Sequence, residues 1–131
     1  MVIDTSAIVA IALREPTRRR LLDVIESASN RIISSVSLLE AGMVLRARRG
    51  EPGLTELYQF VDQLVNEVVP FDDAQARRAI AAFACFGKGM GHRAQLNFGD
   101  CAVYALAVLR GEPVLATGGD FAATDIGVYR L

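Results

Sequence analysis

The stretch Met1 to Ala10, MVIDTSAIVA, decides how the fold is read. Val2-Ile3 is an apolar pair suited to a short buried strand. The run from Ser6 to Leu13 reads as a helix that ends before Glu15-Pro16. Between the two stands Asp4, a lone carboxylate among apolar, small and hydroxylic neighbours. Strand, acid, helix is the opening of an alternating pattern, and the rest of the chain continues it.

Pro16 suits the first turn of a second helix through Ser27, with Leu21, Leu22 and Ile25 as its apolar stripe. Arg31 to Ser34 reads as a second strand. Ser35 is the expected N-cap of a long helix to Arg49, stopped by Gly50, after which Pro52-Gly53 breaks the chain. Leu54, Leu57, Tyr58, Val61, Leu64 and Val65 then recur at helical spacing. Val68-Val69 is a third strand, and Phe71-Asp72 is a staple and cap opening a helix from Asp73 to Phe86. Gly87 to Gln95 is loop by composition. A helix from Asp100 to Arg110, a strand from Pro113 to Ala116, a Gly118-Gly119 turn and a short strand from Gly127 to Arg130 complete the chain. This alternation predicts an α/β sandwich around a mostly parallel sheet. With no repeat or linker, residues 1–131 are expected to form a single domain.

Composition narrows the class. A hydrophobic fraction of 52% excludes a disordered chain. No apolar run approaches the roughly twenty residues of a membrane span, and the N-terminus lacks the pattern of a secretion signal. Cys85 and Cys101 form no metal-type pair and suit a reduced compartment, so a cytoplasmic location is expected. Net charge is -1, so no global basic field marks a nucleic-acid partner. Thirteen of the 14 basic residues are arginine, gathered at 18–20, at 46, 48 and 49, and with Lys88 near Arg93. Such groups can hold phosphates or simply solvate helix faces.

Four acids stand in apolar or small company. Asp4 follows the first strand. Glu40 shares a helix face with Val36, Met43 and Ala47, so it is expected as a buried carboxylate on an otherwise apolar stripe, where it needs a partner or a metal. Asp100 opens the apolar run Cys101 to Leu106, and Asp120 follows Gly118-Gly119. Asp4 and Asp100 could be plain N-caps and Asp120 a turn residue. In an open parallel sheet, however, sites form beyond the carboxyl ends of the strands. Carboxylates gathered there repel one another unless a hard cation neutralises them, and an all-oxygen set suits Mg²⁺ or Mn²⁺. The matching chemistry is hydrolysis of a phosphate ester or phosphodiester.

Four segments in order, MVIDTSAIVAIALREP, SLLEAGMVL, LNFGDCAVYALA and ATGGDFAATDI, resemble the PIN-domain ribonucleases. More narrowly they resemble the VapC toxins of bacterial type II toxin–antitoxin systems. The resemblance implies a Rossmann-like α/β/α fold and a Mg²⁺- or Mn²⁺-dependent endoribonuclease that uses metal-activated water. It implies Asp4, Glu40, Asp100 and Asp120 as the catalytic, metal-holding acids, with Asp125 as a substitute for Asp120 or a supporting acid behind the site. Thr5, Ser6 and Thr117 would support the carboxylates or phosphate. Lys88, His92 and Arg93 would form a mobile, phosphate-contacting edge. The implied partners are an RNA (tRNA, rRNA or mRNA), a VapB-type antitoxin and a second copy of the chain. The antitoxin would lie on exposed apolar faces of the helices around 16–27, with Leu21 and Leu22, and 35–49.

Two other readings compete. A haloacid-dehalogenase-like phosphatase would need a second aspartate two residues after the first, where this chain has Ser6. A non-catalytic RNA- or protein-binding α/β domain would have no use for four clustered acids. A receiver-type phosphoacceptor would need its lysine after a strand, whereas Lys88 lies in loop.

Overall fold

A computed structural model describes every residue from Met1 to Leu131. Four parallel strands make the sheet: β1 (Val2–Ile3), β2 (Ile32–Ser34), β3 (Glu67–Val69) and β4 (Val114–Leu115), in the order β3-β2-β1-β4. The helices are α1 (Thr5–Ala12), α2 (Arg18–Ser27), α3 (Ser35–Leu64), α4 (Asp73–Phe86) and α5 (Phe98–Arg110). The strand expected at 127–130 is only a single bridge between Val128 and Val114.

Alternation along β1 divides the core. Val2 turns to one face with Ile32, Val114 and the inner side of α4 and α5, including Ala79, Ala82, Val103 and Leu106. Ile3 turns to the other with Ile33, Leu115 and residues of α1, α2 and α3, including Ile8, Leu21, Leu45 and Leu57. Both faces of the sheet are therefore covered, which is why the inner strands are largely apolar, the edge strand β3 starting with the exposed Glu67, and why all of them can be parallel. The result is the three-layer α/β/α arrangement.

The chain walks outward from β1 to β2 to β3, then returns to place β4 on the other side of β1. The gap between β1 and β4 is the point where the winding reverses, and ligand crevices form at such points. Asp4 N donates to Leu115 O at 2.9 Å and locks the two strand ends together there.

Three local expectations change. The cap of α3 is Ser34, which accepts from Val36 N at 3.1 Å; Ser35 Oγ instead accepts from Phe71 N and ties α3 to the loop before α4. Helix α3 does not end at Gly50. It kinks there, with Gly50 at φ 64° and ψ −151°, and continues to Leu64. Pro52 falls in the first turn of the second limb, where its missing N–H leaves no bond unmade, so Pro52-Gly53 opens a helical limb and does not break one. Helix α5 starts earlier than Asp100: Asn97 is its cap and Asp100 its third residue.

Candidate active site

Asp4 is both things its position allowed. Its Oδ2 caps α1, accepting from Ser6 N at 2.9 Å and from Ser6 Oγ at 2.5 Å. The residue is also 5% exposed, and burial pushes its carboxyl up despite the Ser6 bonds. Ser6 Oγ accepts in turn from Thr117 N at 3.1 Å, linking the start of α1 to the end of β4. Ser6 thus occupies with a hydroxyl the position where a haloacid-dehalogenase-like site would need its second carboxylate.

Glu40 is not on the buried stripe of α3. That stripe is Ser37, Ala41 and Leu45, while Met43, on the Glu40 face, is largely exposed. The misreading arose because the Val36–Met43 face is apolar yet uncovered. What holds Glu40 is polar and steric. Thr5 Oγ1 donates to its Oε1 at 3.0 Å. On its other side it lies against the backbone of Gly99, where an added β-carbon would fall inside the carboxylate. A glycine at 99 is what lets the first turn of α5 approach Glu40 so closely.

Asp100 sits beside that contact. Asn97 and Asp100 form a reciprocal capping box: Asp100 N donates to Asn97 Oδ1 at 2.9 Å, and Asn97 N donates to Asp100 Oδ2 at 3.0 Å. The Asp100 carboxyl is nonetheless pushed up to about 6. Burial is the main cause, and the charges of Asp4, Asp120 and Glu40 add to it, against the lowering effect of the Asn97 bond. Asp100 thus feels the charges of the other three acids at one edge of the fold.

Asp120 is exposed at the start of a short 3₁₀ turn, Phe121–Ala123, beyond β4. Asp125 is engaged elsewhere, accepting from the buried Tyr104 hydroxyl at 2.6 Å. Burial, then the bond to Asp125, pushes that hydroxyl up to about 12, so it stays a donor at ordinary pH. His92 is half-buried. Its Nδ1 accepts from Ala94 N, and its ring meets Phe86 edge-on at 4.9 Å, so it anchors the 87–96 loop to the core. Lys88 and Arg93 are exposed on the same loop.

Asn97, Gly99 and Tyr104 are the site neighbours that sequence reading passed over. The Asn97-x-x-Asp100 spacing is a capping-box pattern that could have been read. Nothing local marks Gly99 or Tyr104, because their partners lie on α3 and beyond β4.

The donor set is all oxygen and its mutual repulsion is uncompensated, which suits a hard divalent cation. As placed, no three of these side chains close on a common point. Glu40 is turned to Thr5, and Asp100 to Asn97.

A family model described as "PIN domain" matches residues 1–127. Ribonuclease VapC30 of Mycobacterium tuberculosis is 44% identical over 131 residues, spanning 100% of this chain and 99% of its own. Ribonuclease VapC of Mycolicibacterium smegmatis is 43% identical, spanning 96% and 97%. Among solved structures, Mycobacterium tuberculosis VapC20, titled a sarcin-ricin loop cleaving toxin, superposes with a TM-score of 0.81 at 18% identity, covering 99% of this chain and 98% of its own. VapBC2 from Rickettsia felis, bound to a promoter DNA fragment, gives 0.75 at 15% identity, covering 97% and 94%. At those identities the structures speak to the fold alone. Sequence identity along the whole chain carries the assignment further: the chain belongs to the PIN-domain family, among the VapC ribonucleases.

Proposed function

We propose that this protein is a divalent-metal-dependent endoribonuclease and the toxin of a VapBC-type module. The observation that carries the reading is Asp100, a carboxyl pushed up to about 6 with three other carboxylates acting on it at the β1/β4 switch point. Its setting is a chain 44% identical from end to end to a curated VapC ribonuclease. Asp4 and Asp100 would hold a Mg²⁺ or Mn²⁺ ion, with Glu40 and Asp120 completing its surroundings. Such an ion supplies Lewis-acid stabilisation of phosphoryl charge and an acidified water. The chain's own groups do the rest. Ser6 fixes the Asp4 carboxylate, Thr5 fixes Glu40, and Asn97 fixes Asp100. Lys88 and Arg93 are the exposed cations offered to the RNA backbone.

The partner is a VapB-type antitoxin, in keeping with the fold's likeness to chains in antitoxin complexes. Its seat needs revision, because Leu21 is fully buried and cannot be a contact. Leu22 instead lines a groove with Ile8, Ile11, Phe60 and Leu64. The face expected at 35–49 is open as well: Leu39 and Met43 are exposed and border a second groove with Leu54 and Tyr58. No helix is long and apolar enough to cross a membrane.

The test incubates the protein and its Asp4→Asn variant with structured RNA and Mg²⁺ or Mn²⁺, with and without chelator. Metal-dependent internal cleavage that the variant lacks is expected. Cleavage that persists in chelator or in the variant, or hydrolysis of small phosphate esters alone, overturns the reading.

A further inference from the structure

The segment between β4 and the Val128 bridge carries Asp120 and is held to the helices at only a few points. It leaves the sheet at Ala116, passes through Gly118-Gly119, and is pinned again where Val114 N donates to Gly127 O at 2.9 Å. Its internal bonds are local: Ala123 N to Asp120 O, and Thr124 N and Oγ1 to Phe121 O. Phe121 is buried, Ala123 and Ile126 pack against the core, and two hydrogen bonds join the segment to helices: Thr117 N to Ser6 Oγ on α1 at 3.1 Å, before Asp120, and Tyr104 Oη on α5 to Asp125 Oδ1 at 2.6 Å, after it. Tyr104 lies one helical turn after Asp100 on α5.

Its ring is 5% exposed and packs against Phe86 with centroids 5.6 Å apart. A phenylalanine would fill that space equally well. What the hydroxyl adds is a charge-assisted bond to an exposed carboxylate five residues beyond Asp120. The helix that presents Asp100 therefore also holds the loop that presents Asp120.

We propose that Tyr104 and Asp125 are a positioning pair: the hydrogen bond latches the post-β4 loop to α5 and so sets Asp120 over Asp100. This rests on the acid cluster being the active site. It assigns Asp125 a role distinct from that of an alternative fourth acid. Loss of an outer partner of this kind lowers metal affinity or activity by about 10–100-fold.

The experiment compares Tyr104→Phe, Asp125→Ala, Asp125→Asn and Asp120→Asn, and combines Tyr104→Phe with Asp120→Asn. Two readouts are taken: kcat and KM for RNA cleavage, and the rise in melting temperature on adding Mn²⁺ to protein without RNA. Tyr104→Phe is expected to lower kcat at least about tenfold, leave KM near its starting value and shrink the Mn²⁺-induced rise. Its melting temperature without metal should change little. Asp125→Ala should behave alike, whereas Asp125→Asn, which keeps a carbonyl acceptor, should retain most activity. The double variant should be no worse than Asp120→Asn alone. Additive losses in the double variant, or full kcat in Tyr104→Phe beside a crippled Asp120→Asn, overturn the latch while leaving the acid cluster intact. Full activity in Asp120→Asn overturns both the latch and the place of Asp120 in the site.

Discussion

Gly99 separates two demands that usually coincide, holding the fold together and holding the site together. An alanine there is a better helix former by about 0.5–1 kcal/mol. Its methyl group would displace only the end of a flexible side chain, the Glu40 carboxylate. Gly99→Ala is therefore expected to leave stability within about 1 kcal/mol of the starting protein. It should lower cleavage as much as Glu40→Gln does, because Glu40 must swing off Thr5. Denaturant unfolding and cleavage rates, measured on both variants, check this; a normal rate in Gly99→Ala would remove Glu40 from the mechanism. At this scale the sequence showed the acids and hid their holders. Asp4, Glu40, Asp100 and Asp120 stand out against apolar neighbours. Thr5, Ser6 and Asn97 are ordinary cap-type residues whose second partners lie 35 or 111 positions away, or nearby in an overlooked box.

Among the elements, the kink in α3 shows why boundaries are harder to read than types. Gly50 and Pro52 look like a stop and a break. In the folded chain they join two limbs, because Gly50 adopts φ 64° and ψ −151°, a region essentially reserved for glycine. The second limb then turns back along α1, where Leu57 is buried with Ile8 and Phe60 lines the groove beside Leu22. Gly50→Ala is expected to destabilise the protein by about 1–3 kcal/mol. Since the first limb carries Glu40, cleavage by the fraction still folded should be unchanged. Urea unfolding combined with activity per folded molecule measures both. Strands and helices were legible because burial on both sheet faces keeps strands such as Val2–Ile3 and Val114–Leu115 apolar, and helix stripes keep their period. The face of Glu40 was misread because apolar content was taken for burial, although Leu39 and Met43 on α3 are 62% and 65% exposed.

The whole molecule stores repulsion at the meeting of β1, β4 and α5. The folded Asp100 carboxyl titrates near 6 against an ordinary 3.8, so between those values the folded chain binds more protons than the unfolded one. Its contribution to stability is thus most favourable below about pH 4 and is lost as pH rises through about 6. Asp4, also pushed up by burial, acts in the same direction. Discounted for the partial exposure of Asp100, the effect is about 1 kcal/mol, or a few degrees in melting temperature. In chelator at pH 7, Asp100→Asn is expected to melt higher than the starting protein, and the gap should close toward pH 4. Saturating Mg²⁺ should raise the starting protein and not the variant. Thermal melts across pH, with and without the ion, decide this; a variant that melts lower under every condition would show that the cluster is not strained. The strand order has one last consequence, for the order of synthesis. The inner strand β1 precedes its neighbour β4, which begins at residue 114, and the last of the four acids is residue 120. These four acids therefore cannot come together during synthesis until β4 and the turn after it have left the ribosome.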